Sequence, residues 1–436
     1  MRKFIVILII FCFGMILLLI SVRAFATNGY FSHGYGVHYK ALAGSGTSLS
    51  LSTLGAATNP AGLVHLGKRF DAGLGLFSPK REFTVTGNPS GFDGTFGLAP
   101  GTVQSDKSVF FIPSFGSNFM LNDNSSLGIS IYGNGGMNTH YPAQVFGGAD
   151  PTGVDLSQLF VNASFSKKLG EKHSIGVSGI LAYQIFEATG LEAFANFSSD
   201  PVHLTGLGHD NSFGFGFKLG YMAELAEGLR IGAAYQSEIY MSEFTEYGGL
   251  FADQGSFNIP ANWNAGISYQ FSDSWLVIFD VQQIKYSSIE SIANPLDPMA
   301  LPPAFPDGMG GFVPNPAQVA LGESGASGFG WQDVTVYKLG TQFSGVEDWT
   351  FRAGFSMSEQ PIPESQMIFN ILAPGVIERH ATFGFSKAMG EKNELSLAVM
   401  HGFSKSINGP NYFEAPNQQD IELKMNQWEF EVGFSF

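Results

Sequence analysis

The sequence predicts an all-β protein, a 14-stranded antiparallel transmembrane β-barrel with an N-terminal plug in its lumen. Three observations carry that prediction. The 436 residues are 44% hydrophobic but only 14% charged, with 42 Phe, 14 Tyr, 5 Trp and 55 Gly; soluble domains carry roughly 25% charged residues. The chain opens like an exported protein and afterwards contains no apolar run long enough for a membrane helix. Segments that alternate apolar and polar residues then recur to the C-terminus, joined by connections that are short and long in turn.

The first 26 residues read as a signal peptide. Arg2 and Lys3 precede the apolar run Phe4–Ile20, and Ala24-Phe25-Ala26 supplies a small-x-small cleavage site. Seventeen apolar residues lie at the low edge for a membrane span. Cleavage removes Arg2, Lys3 and Arg23 and no acidic residue, taking the formal charge from −15 to −18. It also removes Cys12, the only cysteine, so disulfides and thiolate metal sites are excluded from the mature chain. So acidic a chain has nothing to neutralise phosphates, and nucleic acid is not an expected partner. An exported chain without a spanning helix leaves the closed β-barrel as its way through a membrane.

The C-terminal segment shows the alternation best. Trp428, Phe430, Val432, Phe434 and Phe436 are interleaved with Gln427, Glu429, Glu431, Gly433 and Ser435, as expected of a strand with lipid on one face and water on the other. The pattern recurs at 174–184, 212–224, 229–236, 263–269, 275–282, 349–357, 381–387 and 395–401. It is looser at 69–86, 107–121, 126–137, 156–167 and 333–343. With the last strand these make 14. Short turns rich in Asn, Asp, Gly, Glu and Lys alternate with long connections at about 88–105, 141–153, 195–211, 245–260, 288–331, 359–378 and 407–425. Outer-membrane barrels have short periplasmic turns and long external loops, so the alternation predicts orientation as well as fold. Trp263, Trp275, Trp331, Trp349 and Trp428 suit interfacial girdles.

Two regions do not fit a plain barrel. Residues 27–68 precede the first strand, are rich in Gly, Ala and Ser, and carry Tyr30, Phe31, Tyr35 and Tyr39. Too small and apolar to fold alone, they are expected to fill the lumen as a plug, with 69–436 as the barrel. The longest loop, 288–331, is apolar as well as rich in Pro and Gly. Its Met299, Leu301, Phe305 and Phe312, with Tyr30 and Phe31 of the plug, are candidate contacts for a hydrophobic ligand. Gly133-Asn134-Gly135-Gly136 interrupts the third strand, as a bulge or broken ladder would. By face parity Lys218, Arg230 and Arg352 point inward, either to bind a carboxylate or to pair with lumenal acids. His33 and His38 lack carboxylate companions for a metal site. Gly44-Ser45-Gly46-Thr47 lacks the lysine of a phosphate loop. No Ser and His pair stands out for hydrolysis, so neither enzyme activity nor a cofactor is expected.

The stretch NGYFSHGYGVHYKALAGSGTSLSLSTLGAATNPAGLVHLGKRFDAGLGLFSP resembles the N-terminus of the FadL/TodX family of outer-membrane channels for hydrophobic compounds. Its marks are the small-residue run Ala41–Gly46, Asn59-Pro60-Ala61, and Arg69-Phe70 opening the first strand. DWTFRAGF from Asp348, QPIP from Gln360, and MHGF from Met400 through INGP from Ile407 continue the resemblance downstream. It implies a 14-stranded barrel closed by a hatch in the outer membrane of a Gram-negative cell. It also implies passive uptake of long-chain fatty acids, hydrocarbons or aromatics, caught by external loops and released sideways at a kinked third strand beside the Asn59-Pro60-Ala61 turn. A monomer is expected, surrounded by outer-membrane lipid and inserted by the barrel assembly machinery through its C-terminal strand. Two features depart from the pattern: Gly328–Val334 holds no clear lysine for a carboxylate, and the largest loop follows the ninth strand. The alternative is a general or sugar-type porin, which needs an open charged lumen and no plug; a lipid hydrolase ranks behind it.

Overall fold

The computed structural model describes residues 28–390 and 392–436; the expected leader, 1–26, lies outside the described residues. Fourteen long strands form the wall: β1 Arg69–Thr86, β2 Phe110–Asn122, β3 Ser125–His140, β4 Gly153–Lys168, β5 His173–Thr189, β6 Asp210–Ala226, β7 Leu229–Gln236, β8 Asn262–Ser272, β9 Trp275–Ile284, β10 Val334–Val346, β11 Trp349–Ser358, β12 Arg379–Met389, β13 Asn393–Pro410 and β14 Asp420–Ser435. Each pairs antiparallel with its neighbours in the chain, and β14 closes on β1 from Asp71↔Ser435 to Thr86↔Asp420. Two short segments, Gly101–Gln104 and Tyr240–Met241, add to the rim beside β1 and β6. Pairing of β14 with β1 leaves neither end of the strand order as a free edge, as a strand-built wall in lipid requires.

The strands outrun the membrane, and their polarity inverts along their length. In the lower half of β14, Trp428, Phe430, Val432 and Phe434 are exposed on the outside while Gln427, Glu429 and Glu431 are buried inside. In its upper half the outward positions are Asp420, Glu422 and Lys424, and the buried inward ones are Ile421, Leu423 and Met425. β1 repeats the switch: Leu74 is exposed outside and Asp71 buried inside, whereas higher up Lys424 pairs with outward Glu82 at 2.8 Å and Phe83 and Val85 are buried inside. The last long connection is therefore corrected from 407–425 to 411–419. The change of sign at Lys424–Gln427 reads as a strand end in sequence, but it marks the outer limit of the lipid-facing surface.

The interior has two storeys. The outer one is a continuous apolar core in which external loops pack on the upper strands, with Phe186, Phe244, Tyr247, Phe257, Ile371 and Ile377 almost fully buried. The inner one is polar and is occupied by residues 28–68. There Lys40 pairs with Glu429 and, at 2.9 Å, with Glu431. Asp280 Oδ2 accepts from the amides of Gly46 (2.7 Å) and Thr47 (2.8 Å). Asp71 Oδ2 accepts from Thr53 N (2.7 Å), and His38 meets Glu394 at 2.6 Å. These partners stand on β9, β14, β1 and β13, so the segment is tied around the ring.

Glycine explains how it fits. A Cβ at Gly116, Gly176, Gly220, Gly232, Gly354 or Gly433 would overlap Thr53, Pro60, Asn59, Thr47, Leu42 or Val37 respectively. The glycine-rich composition thus serves close approach between wall and N-terminal segment. Within the segment, Asn59 caps the short 3-10 helix Pro60–His65: its Oδ1 accepts from Ala61 N at 3.0 Å, with Pro60 at the first position.

Candidate functional site

The wall is discontinuous at one place. β2 pairs with β3 from Asn122/Ser125 up to Ser114/Tyr132 and no further, although β2 continues to Phe110 and β3 to His140. On their other sides both stay laddered, β2 to β1 as far as Phe77↔Phe110 and β3 to β4 as far as His140↔Gly153. A slot therefore opens between 110–113 and 133–140. On the β3 side the ladder skips Asn134: Gly133 pairs with Leu159 and Gly135 with Gln158. The extra residue bends β3 away from β2.

Backbone groups freed by the slot need partners, and the N-terminal segment supplies several. Phe31 bridges Gly135, Ser32 N donates to the Asn134 carbonyl at 2.8 Å, and Gly136 N donates to the Tyr30 carbonyl at 3.0 Å. Tyr35 Oη donates to Asn134 Oδ1 at 2.8 Å, and Asn134 Nδ2 donates to Gln158 Oε1 at 2.9 Å. Above them, the Arg81 guanidinium donates to the Asn138 carbonyl and Ser105 Oγ accepts from His140 N at 3.0 Å.

Behind the slot lies a cavity of about 400 Å³. Its inner surface is mostly apolar, with Phe31, Phe77, Phe110, Met137, Trp331, Met400 and Met425; Arg81, Gln158, His380, Gln427 and Glu429 are the main polar members. Tyr30 and Trp331 belong to its wall, and Tyr286 packs against both, edge-on to Trp331 at 5.2 Å and to Tyr30 at 5.3 Å. The lining continues through the slot to the lipid-facing surface, where Phe111 is 70% and Leu159 37% exposed and Tyr183 and Ile185 complete the rim. One cavity thus joins the lumen to the side of the barrel.

The residues singled out in the sequence divide clearly. Tyr30, Phe31, Gly133, Gly135 and Gly136 line the cavity, and Asn134 is the residue the ladder skips. Met299 and Phe312 are exposed on the external loop, Leu301 is buried beneath it, and Phe305 pairs with Val313 in a small hairpin; none lines the cavity. The three basic residues are also elsewhere. The Lys218 amine holds the Ala57 carbonyl at the end of a short helix, and Arg230 pairs with Glu224 at 3.5 Å on a half-exposed strand end. Arg352 bonds to Gln342 Oε1 (2.8 Å) and Ser386 Oγ (2.7 Å). The Asn59-Pro60-Ala61 turn packs on β5 and β6, with Asn59 Nδ2 donating to the Tyr221 carbonyl at 3.0 Å. It does not sit beside the slot, whose neighbour is Tyr30–Ser32. Trp331 is no girdle residue, being buried in the cavity wall.

Sequence reasoning passed over Arg81 and His380, and it gave Trp331 to the girdle and Gln427 to the polar face of the last strand without assigning either to a cavity. Face parity along β1 is the signal that points to Arg81, since it shares its side with Phe77 and Phe83. His380 and Gln427 are contributed by neighbouring parts of the barrel far apart in the chain, and nothing local marks them.

The family model for the outer membrane protein transport proteins (OMPP1/FadL/TodX) matches residues 20–406. The long-chain fatty acid transport protein of Salmonella typhi is 24% identical over 363 residues, covering 72% of this chain and 74% of that one. Among solved structures, the Pseudomonas putida toluene transporter TodX aligns with a TM-score of 0.65 at 18% identity, covering 92% of this chain and 98% of its own. A Pseudomonas aeruginosa FadL homologue aligns at 0.67 and 15% identity, covering 94% and 99%. Strand number, closure and sequence agree: the chain is an outer-membrane β-barrel belonging to the FadL/TodX family of transport proteins.

Proposed function

We propose that this protein is a passive channel that takes hydrophobic small molecules, fatty acids or hydrocarbons and aromatics, into the cavity and releases them sideways between β2 and β3 into the bilayer. The observation that carries this reading is the unbroken lining from buried Trp331 and Met400 to lipid-facing Phe111 and Leu159. Each methylene kept out of water is worth about 0.8 kcal/mol, so an apolar route that ends in lipid favours passage without an energy source, whereas a water-filled pore gives such molecules nothing. The names of the relatives, a long-chain fatty acid transport protein and a toluene transporter, agree with it. In this reading residues 27–68 are the hatch that closes the lumen, and no residue has a catalytic role. The barrel works as a monomer, and the strand ending at Phe436 is what the assembly machinery recognises. A porin is disfavoured because buried side chains occupy both storeys of the interior.

The test exploits the absence of cysteine from the mature chain. A Cβ on Gly133 stands 3.1 Å from Ile112 Cγ2 across the slot, so Ile112→Cys with Gly133→Cys places two thiols there. Under oxidising conditions, uptake of a labelled fatty acid and of labelled toluene by cells should fall to the level of cells lacking the protein and recover on reduction. Uptake that persists with the slot locked would sink the lateral route.

A further inference from the structure

The outer face of the wall carries a second recess, of about 410 Å³, beside the slot. The slot edge 110–113 pairs on its other side with 74–77 of β1, and the recess starts there. Cross-strand pairing carries it around the outside of the barrel. Phe111 on β2, Leu76 on β1, Phe430 on β14, Val399 on β13 and Phe383 on β12 stand in one row. A second row, nearer the periplasm, ends in Leu397 and Phe385. Five strands make four spacings, so the recess is about 19 Å long. Glu431, the one polar residue in its lining, turns its side chain inward to Lys40, and the open surface is hydrocarbon. Phe111 belongs both to this recess and to the cavity behind the slot.

We infer that this recess is a binding groove for one extended alkyl chain, the chain that has just left the slot. The inference rests on the channel reading above and adds where the molecule goes next and which shape is favoured. Lipid is as apolar as a leucine side chain, so a groove facing it gains nothing from the hydrophobic effect and holds a guest by packing alone. Position supplies the guest. A chain emerging over Phe111 finds the groove at its own level of the wall, one strand away, before it mixes with bulk lipid. Shape selects it. Aliphatic residues, with Phe430 among them, make up the middle of the groove, and Phe111 at one end faces Phe383 and Phe385 at the other. An extended chain contacts that whole length, whereas a compact aromatic ring covers a part of it and keeps fewer contacts.

Hexadecanoic acid carrying a photoreactive diazirine near its methyl end is added to cells making the protein, which are irradiated early in uptake, and the adducts are mapped by mass spectrometry. Ile267 and Leu339, lipid-facing on β8 and β10 across the barrel, are the controls. Adducts on Phe383, Phe385 and Leu397 should exceed those on the controls by about threefold or more. Equal labelling of the two faces overturns the inference. Locking the slot with Ile112→Cys and Gly133→Cys should bring the groove down to the control level; undiminished labelling would mean that the chain arrives from the bilayer, and overturns it as well. Leu397→Trp with Val432→Trp, both outward, fills the groove and should abolish adducts at Phe383 while those at Met400 in the cavity persist. A photoreactive toluene analogue should label the groove no more than the controls, and enrichment equal to that of the chain overturns the preference for chains. Adducts at Met400 and Trp331 without adducts in the groove overturn the inference and leave the channel reading standing; adducts at none of these positions take the channel reading down too.

Discussion

Phe31 forms an antiparallel bridge with Gly135, so a residue of the N-terminal segment occupies the ladder position that β2 leaves empty. That single bridge, made from inside the barrel, spans part of the gap. Segment and slot are therefore one mechanical unit, and a change on either side should be felt on the other.

Gly135→Ala tests that coupling. A Cβ there would stand 1.8 Å from the Tyr30 carbonyl oxygen, a backbone atom that moves only if the segment moves. The substitution should weaken docking of Tyr30–Ser32 by about 1–3 kcal/mol. Hydrogen exchange is the readout: the amides of Ser32 and Gly136 should exchange faster in the variant, while amides in the β1–β14 ladder stay protected. Unchanged protection at Ser32 would mean that the bridge does not hold the segment.

Lys40 makes a larger demand. Its amine lies between Glu429 and Glu431, each 4% exposed, with His33 3.6 Å from Glu429. Lys40→Met leaves two buried carboxylates without their cation and should cost about 3–5 kcal/mol. Adding Glu429→Gln and Glu431→Gln should recover most of it, because the uncompensated charge then disappears. The urea midpoint for the three proteins, read by fluorescence in detergent, checks the order. A triple variant no better than Lys40→Met would show that the lysine acts by packing alone.

The strand count and the alternation of short and long connections were legible because both follow from local pattern. The ends of strands such as β14 were not, since the inward face turns from polar to apolar at Lys424–Gln427 where the lipid-facing band stops. The cavity was half legible. Glycines at 133, 135 and 136 announce a weak ladder, and Tyr30 and Phe31 are aromatics in a segment with no core of its own. Arg81, His380 and Gln427 meet only through closure of the barrel, a non-local event without a signature in any single window. The resemblance brought the Asn59-Pro60-Ala61 turn to the exit; its bonds to Thr47 and Tyr221 place it on the opposite task of fastening the segment to β6.

That placement separates two functions by mutation. Asn59 Nδ2 donates to the carbonyls of Thr47 (2.8 Å) and Tyr221 (3.0 Å), and its Oδ1 caps the following helix. Asn59→Ala removes the cap and leaves the buried Thr47 carbonyl without its donor, and should loosen the segment by about 1–3 kcal/mol. Ion conductance in planar bilayers should therefore rise, because the polar inner storey becomes wet. Ligand affinity measured in detergent should stay within about twofold, as expected for a site that the residue does not touch. Affinity falling in step with rising conductance would put the turn back at the exit.

The external loop yields a contrast between neighbours. Leu301 is 1% exposed beneath the loop, and Phe312 is 66% exposed on the hairpin, with Met309 at 88%. Leu301→Ala removes packed methyl groups and should destabilise by about 2–5 kcal/mol, whereas Phe312→Ser should change stability by no more than about 0.5 kcal/mol. Transport should order the two differently. An exposed apolar hairpin gains from meeting a hydrophobic molecule in water, so Phe312→Ser should raise the ligand concentration needed for half-maximal uptake and leave the maximal rate alone, the mark of a lost capture contact. Leu301→Ala should reduce the amount of folded protein without moving the half-saturation concentration of what remains. Uptake curves paired with melting curves for the two variants decide it: if Phe312→Ser leaves half-saturation unmoved, the hairpin takes no part in capture.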